Sequence, residues 1–282
     1  MNFINETMIE EYLSDFNELY LNKEVISKLK SYKEEYVNHN DQNTAKNIWI
    51  LEQVYKVIAH YIKAFRYLKQ KKHYEAWCEL DRSDIELSFL YNHIDRTNDK
   101  FKLEFISQKT KDLQLLFPYT HFLSREAIVQ NWKCSICGNS ITLRNRCSHQ
   151  LGEIYNGEMC CRIAQDMKFE AFAIVTDPFD KYSVLMLGNQ EYNYAILDRL
   201  MEVWENPFEN WRLEKNYVIK TEYLNLKRND TCPCLSMKKY KKCCMDTPKV
   251  YDSNPFYKVI FNNKQIPKEY NENITAGTWK NN

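Results

Sequence analysis

Nine of the ten cysteines fall into two short stretches of a 282-residue chain. Cys134, Cys137, Cys147, Cys160 and Cys161 lie within one, and Cys232, Cys234, Cys243 and Cys244 within the other. The opening residues, MNFINETMIEEYLSDF, are acidic and interrupted and do not read as an export signal. A reducing, cytoplasmic setting is therefore expected, where clustered thiols serve metal sites better than disulfides. Thiolate and imidazole ligands in sets of four are the chemistry of structural Zn²⁺.

The second cluster has the spacing Cys232-x-Cys234-x8-Cys243-Cys244. Four thiolates so close in sequence can surround one tetrahedral Zn²⁺ with Zn–S near ~2.3 Å, if the backbone folds sharply at both ends. So short a segment has little core of its own, and the metal is expected to supply most of its folding energy. The first cluster reads W-K-C-S-I-C-G, then Cys147-x-His149, then Cys160. In a knuckle of this kind the amides after Cys134 donate to sulfur, and Gly138 permits the turn. His149 as fourth ligand gives a Cys₃His site and Cys160 gives a Cys₄ site; the spacing leaves both open. A redox CxxC needs a strand before it and a helix after it. The preceding segment reads as helical and Asn139-Ser140 follow, so metal is the preferred reading. Cys78, beside Trp77 on an apolar helix face, reads as core. Two structural zinc sites are expected.

The run from Arg228 to Cys244, RNDTCPCLSMKKYKKCC, closely resembles the SEC-C motif. That motif is a short zinc-binding segment at the C-terminus of the bacterial preprotein translocase ATPase and of many unrelated proteins. Arg228, Asn229, Asp230, the four cysteines, Pro233, Ser236, Lys238, Lys239, Tyr240 and Lys241 match its pattern. Thr231, Leu235 and Met237 depart from it, standing where the motif has Pro, Gly and Gly. A Cβ costs roughly 1 kcal/mol or more at a position that needs positive φ. The resemblance implies docking of partner proteins or ribosomes and no catalytic group. Seven Lys/Arg face two Asp between Leu226 and Val250, so the segment stays positive even with four thiolates around Zn²⁺. Lys238, Lys239, Lys241 and Lys242 form a candidate binding surface for an acidic protein or an RNA backbone. Cys147, His149, Gly152, Tyr155, Gly157 and Cys160, followed by Lys181-Tyr182-Ser183-Val184, resemble a segment of uncharacterised bacterial proteins that end in this motif. That likeness implies an architecture over about 130–245 and no defined activity.

Catalytic signatures are missing. There is no HExxH, no GxSxG and no H-x-E before a PCxxC, and with 5 Gly there is no GxGxxG or P-loop. A catalytic zinc keeps an open position; were Cys134, Cys137 and Cys147 the only ligands, His149 could act as a base near Glu153 or Glu158. Lys plus Arg number 39 against 38 Asp plus Glu, so the chain as a whole has no electrostatic pull on nucleic acid or membrane. No apolar run reaches membrane-spanning length. The expected function is a non-enzymatic, zinc-binding adaptor of the bacterial cytoplasm that docks a protein partner or ribosome. Nucleic-acid binding, in a setting such as phage defence, is the alternative, and a zinc-dependent hydrolase using the 134–160 site the second.

The elements that must position these ligands read as mainly α. A helical domain is expected over 1–130, a zinc-stabilised α+β region over 131–225, the knuckle over 226–247 and a tail over 248–282. Apolar residues at three- and four-residue steps, from Leu51 to Phe65, predict a long helix over Thr44–Gln70 with Thr44 as its cap. Further helices are predicted over Glu6–Tyr20, Lys23–Tyr36, His73–Ile94, Asp99–Leu116 and Tyr192–Glu205. Strands are predicted over Phe169–Thr176 and Tyr182–Leu187. The polar end, Asn271–Asn282, is expected to fray.

Overall fold

The computed structural model describes residues 5–142, 144–186, 192–262 and 275–277. The chain divides into two compact units. The first comprises Met1–Gln114, Tyr119–Leu187 and Asn206–Phe208; the second comprises Leu115–Pro118, Gly188–Glu205 and Glu209–Asn282.

Five helices lead: α1 (Glu6–Ser14), α2 (Lys23–Asn38), α3 (Gln42–Lys69), α4 (His73–Leu90) and α5 (Leu103–Leu116). The long helix α3 is the spine of the first unit, and its apolar positions from Ala45 to Leu68 are buried. Its cap is Asp41 rather than Thr44. The Asp41 carboxylate accepts from the Thr44 amide at 3.0 Å and from the Thr44 hydroxyl at 2.7 Å. A carboxylate satisfies a first-turn N–H and also meets the positive dipole end, so it outcompetes a hydroxyl. On α4, buried Glu79 accepts from His60 at 2.6 Å and Lys63 at 2.8 Å, binding α4 to α3. The helices expected to reach Tyr20 and Ile94 stop at Ser14 and Leu90, and α5 starts at Leu103, where Asp99 caps the Leu103 and Glu104 amides.

Residues 122–130, expected to belong to the helical domain, lie instead in strand β1 (Phe122–Cys134). It pairs antiparallel with β5 (Arg162–Val175) along its length, with one bulge between Glu126 and Ala127. The strand predicted at Phe169 therefore begins seven residues earlier. Between the two lie the short strands β2 (Ser140–Ile141), β3 (Ile154–Tyr155) and β4 (Glu158–Met159). Trp77 of α4 stacks on Phe122 with ring centroids 6.0 Å apart and donates to the Lys181 carbonyl, fixing one end of the ribbon to the helices. The second predicted strand, Tyr182–Leu187, yields only a bridge between Val184 and Phe122; Leu187 lies outside the described residues.

The second unit holds α6 (Ala195–Val203), β6 (Trp211–Ile219), β7 (Tyr251–Phe261) and β8 (Thr275–Gly277), with strand order β6-β7-β8. Trp204 after α6 packs edge-on against Trp211 of β6 at 5.5 Å. Part of the segment expected to be a tail is thus sheet. β8 pairs with β7 through Thr275, Ala276 and Gly277, within the stretch expected to fray. The rest of 271–282 lies outside the described residues. Among the described residues no helix is long and apolar enough to cross a membrane.

Candidate metal centres

The second cysteine cluster sits in the connection between β6 and β7. The connection begins and ends at one hydrogen bond, from the Lys220 amide to the Val250 carbonyl at 2.9 Å. Inside it the backbone doubles back. Cys232 N donates to Lys238 O and Tyr240 N to Asp230 O, both at 2.8 Å. The Asp230 carboxylate in turn accepts from the Lys227 amide at 2.8 Å. This small fold gathers Cys232, Cys234, Cys243 and Cys244, whose sulfurs all lie within 4.8 Å of one another. Cys234 and Cys243 are 3.3 Å apart, and Cys243 and Cys244 3.7 Å. A tetrahedron with ~2.3 Å arms has edges of about 3.8 Å, so the set fits Zn²⁺ with little adjustment.

Ser236 lies among the thiols, its hydroxyl oxygen 3.2 Å from the Cys234 sulfur and 3.0 Å from that of Cys243. The Ser236 hydroxyl, with Cys243 beside it, lowers the Cys234 thiol to about 6. Burial, with Cys232 near it, pushes Cys244 up to about 12. With Cys234 easily ionised and Cys244 holding its proton, a metal would complete the set by displacing that proton.

The segment has more core than its length suggests. Buried Cys232, Cys244 and Tyr240 pack with Tyr223 and Val250, which flank the motif on either side. The Tyr223 and Tyr240 rings are 5.8 Å apart. Leu235 and Met237 have φ of +64° and +59° and project into solvent. Lys238, Lys239, Lys241 and Lys242 are all exposed.

The first cluster closes the far end of the β1–β5 ribbon. Cys134 is the last residue of β1. Its amide donates to Asn139 O and its carbonyl accepts from Gly138 N, both at 2.9 Å, making a tight turn into β2. Gly138 takes φ +71°, as the turn requires. The Cys137 and Ile136 amides donate to the Cys134 sulfur and lower its thiol to about 6. Cys134, Cys137, Cys147 and His149 place one ligand atom each within 4.8 Å of the others. Cys134 Sγ is 3.8 Å from His149 Nδ1 and also 3.8 Å from Cys160 Sγ. Cys160 is buried, and burial first, then the neighbouring Cys134, pushes its thiol up to about 11. Four donors are thus gathered as one set, and Cys160 stands beside it against Cys134. Cys161 is exposed, and Cys78 is half-buried near Tyr74, away from both groups.

Supports that sequence reasoning missed hold this cluster against α2 and α3. The β3–β4 hairpin turns on Asn156 (φ +51°) and Gly157 (φ +67°), the Asn-Gly pair that suits a two-residue hairpin turn. Gln42 and Asn156 exchange two hydrogen bonds of 2.8 Å. Lys33 bridges Glu52 at 2.6 Å and Glu158 at 2.7 Å. Its Cγ and Cδ lie only 2.6 Å from where a Cβ on residue 157 would stand. The Tyr155 hydroxyl accepts from Gln150 N, and its ring lies edge-on to His149 at 4.7 Å. The Asn-Gly pair was a legible hairpin signal; its docking on Lys33 and Gln42 was not.

The strand that a redox CxxC requires does precede Cys134, contrary to the helical expectation, but β2 follows where a helix would be needed. Glu158, weighed as a neighbour of a catalytic His149, is engaged by Lys33.

The SEC-C motif family model matches residues 228–246, and the chain therefore carries that motif. Its four cysteines are the second of the two groups whose donors could hold a metal ion. No curated protein and no solved structure matches the chain.

Proposed function

We propose that the chain is a non-enzymatic, zinc-dependent docking protein of the bacterial cytoplasm, with two structural Zn²⁺ sites. Cys232, Cys234, Cys243 and Cys244 hold one ion. Cys134, Cys137, Cys147 and His149 hold the other, with Cys160 as the buried thiol packed beside them. The knuckle presents Lys238, Lys239, Lys241 and Lys242 to a protein partner or ribosome. The observation that carries this reading is the pairing of four gathered thiols with an exposed lysine face on one compact SEC-C segment. Zinc fixes the backbone, and the backbone fixes the lysines. The same lysines would serve an RNA phosphate backbone, which is the second reading; its mark is strong salt sensitivity.

Paired affinity purification tests both. The baits are the wild type and Cys243→Ser/Cys244→Ser, with zinc, protein and nucleic acid quantified. The docking reading expects two zinc ions falling to one and a partner lost with them. Retention of the same partner by both baits overturns it. Recovery of RNA alone, released by salt, replaces it with the second reading.

A further inference from the structure

The β1–β5 ribbon carries an apolar face that nothing in the described residues covers. Paired residues on antiparallel strands share a face. Leu123 pairs with Ile174 and Arg125 with Phe172; beyond the bulge Ala127 pairs with Phe169, Val129 with Met167 and Lys133 with Ile163. Without the bulge Phe169 and Phe172, three apart, would point to opposite faces. The extra residue Glu170 brings them together, with ring centroids 4.7 Å apart. Met167, Phe172 and Ile174 are exposed at 65 %, 61 % and 63 %. With Ile163 and Phe169 they leave on the order of 600 Å² of apolar surface, taking about 150–250 Å² for each large side chain.

Two features select the occupant. Along the shared face from Ile174 to Ile163 the charged members are Arg125 and Lys133, one towards each end, and Arg125 is drawn to Asp180 and the Tyr182 hydroxyl. A nucleic acid needs cations across the face that it covers, and this one offers none at its centre. The apolar area also approaches the roughly 800 Å² per partner of a standard specific interface. A two-stranded ribbon is marginal alone and becomes stable when a second layer packs on it about 10 Å away.

We propose that the covering layer is the same ribbon of a second copy. The apolar faces pack together about a twofold axis near Phe169 and Met167. A twofold contact is isologous, so one neutral apolar patch serves both sides. The inference is independent of what the knuckle docks.

The test is the mass of the full, zinc-loaded chain by light scattering and sedimentation over a wide range of concentration. The wild type is expected at twice its 34.0 kDa. Phe172→Lys and Met167→Lys, each at an exposed side chain, are expected to weaken the dimer about tenfold or more. Helical circular dichroism and zinc content should stay unchanged. Ile128→Lys, whose side chain is exposed on the opposite face, should remain dimeric. A wild type that is monomeric at every concentration overturns the proposal and leaves the face to a different protein. A dimer that both lysine variants retain overturns it too.

Discussion

Leu235 and Met237 occupy backbone conformations that L-residues avoid, with φ of +64° and +59°. Their side chains project into solvent and gain no packing in return. Left-handed backbone costs about 1–2 kcal/mol for a residue with a Cβ. Leu235→Gly and Met237→Gly should therefore each stabilise the knuckle by about 1 kcal/mol, read as a slower loss of zinc to a competing chelator. Tighter retention by neither variant would show that the strain is relieved elsewhere. This was legible in the sequence, because both positions depart from a motif that has glycine there. The choice of Asp41 over Thr44 as helix cap was not, since both residue types cap well and only the chain's path selects one. The rivalry of His149 and Cys160 is of the same kind: both reach Cys134 at 3.8 Å, and spacing alone ranks neither.

The helices were legible because each has one continuous apolar face to bury, and their positions survive with ends shifted by a few residues. Strand β1 was not. It holds Arg125, Glu126 and Lys133 and buries only its two ends, so it lacks a strong alternation of apolar and polar residues. Its pairing with β5 is a long-range fact, fixed by the cysteine cluster at one end and Trp77 at the other. The β3–β4 hairpin shows how that cluster is seated. Gly157 lies against α2, where a Cβ would meet Lys33 at 2.6 Å. Gly157→Ala should displace Lys33 from Glu52 and Glu158 and place alanine at φ +67°. A loss of about 1–2 kcal/mol is expected. Urea unfolding would measure it, and faster amide exchange should be confined at first to the hairpin and the loop of Cys147 and His149. Unchanged exchange there would mean that the hairpin is not seated on α2.

At the scale of the whole molecule, two buried acids of α4 oppose each other in their response to pH. Burial raises the Asp81 carboxyl from 3.8 to about 6, with Asp84 and Asp180 adding to the rise and Lys181 resisting it. Among the described residues one Asp81 oxygen has no hydrogen-bond partner. Burial acts on Glu79 as well, but His60 and Lys63 overcome it and hold the carboxyl at about 2. Glu79 therefore contributes stability above its unfolded value of 4.5, and this is lost as pH falls towards about 2. Asp81 has the reverse sign. The folded state holds its proton more tightly, so stability falls as pH rises from about 4 to about 6. Asp81→Asn should stabilise the protein at neutral pH by about 1–3 kcal/mol and leave acid stability little changed. Denaturation at a series of pH values checks this, and equal gains at pH 4 and pH 7 would refute the titration as the cause.

The single hydrogen bond at which the β6–β7 connection opens and closes makes the knuckle a cassette. Sequence reading placed the four cysteines in a knuckle of their own over 226–247, where loss of zinc would concern the knuckle alone. Here the ends of the cassette, Lys220 and Val250, are also the ends of a ladder running from Ile219 and Tyr251 back to Trp211 and Phe261. With the metal held, the two strands feel a short rigid link. Without it they are joined by a loose loop of roughly thirty residues, whose closure costs more, by about 0.6 kcal/mol for each doubling of length. Loading of the proposed metal site would thereby set how firmly the hairpin closes.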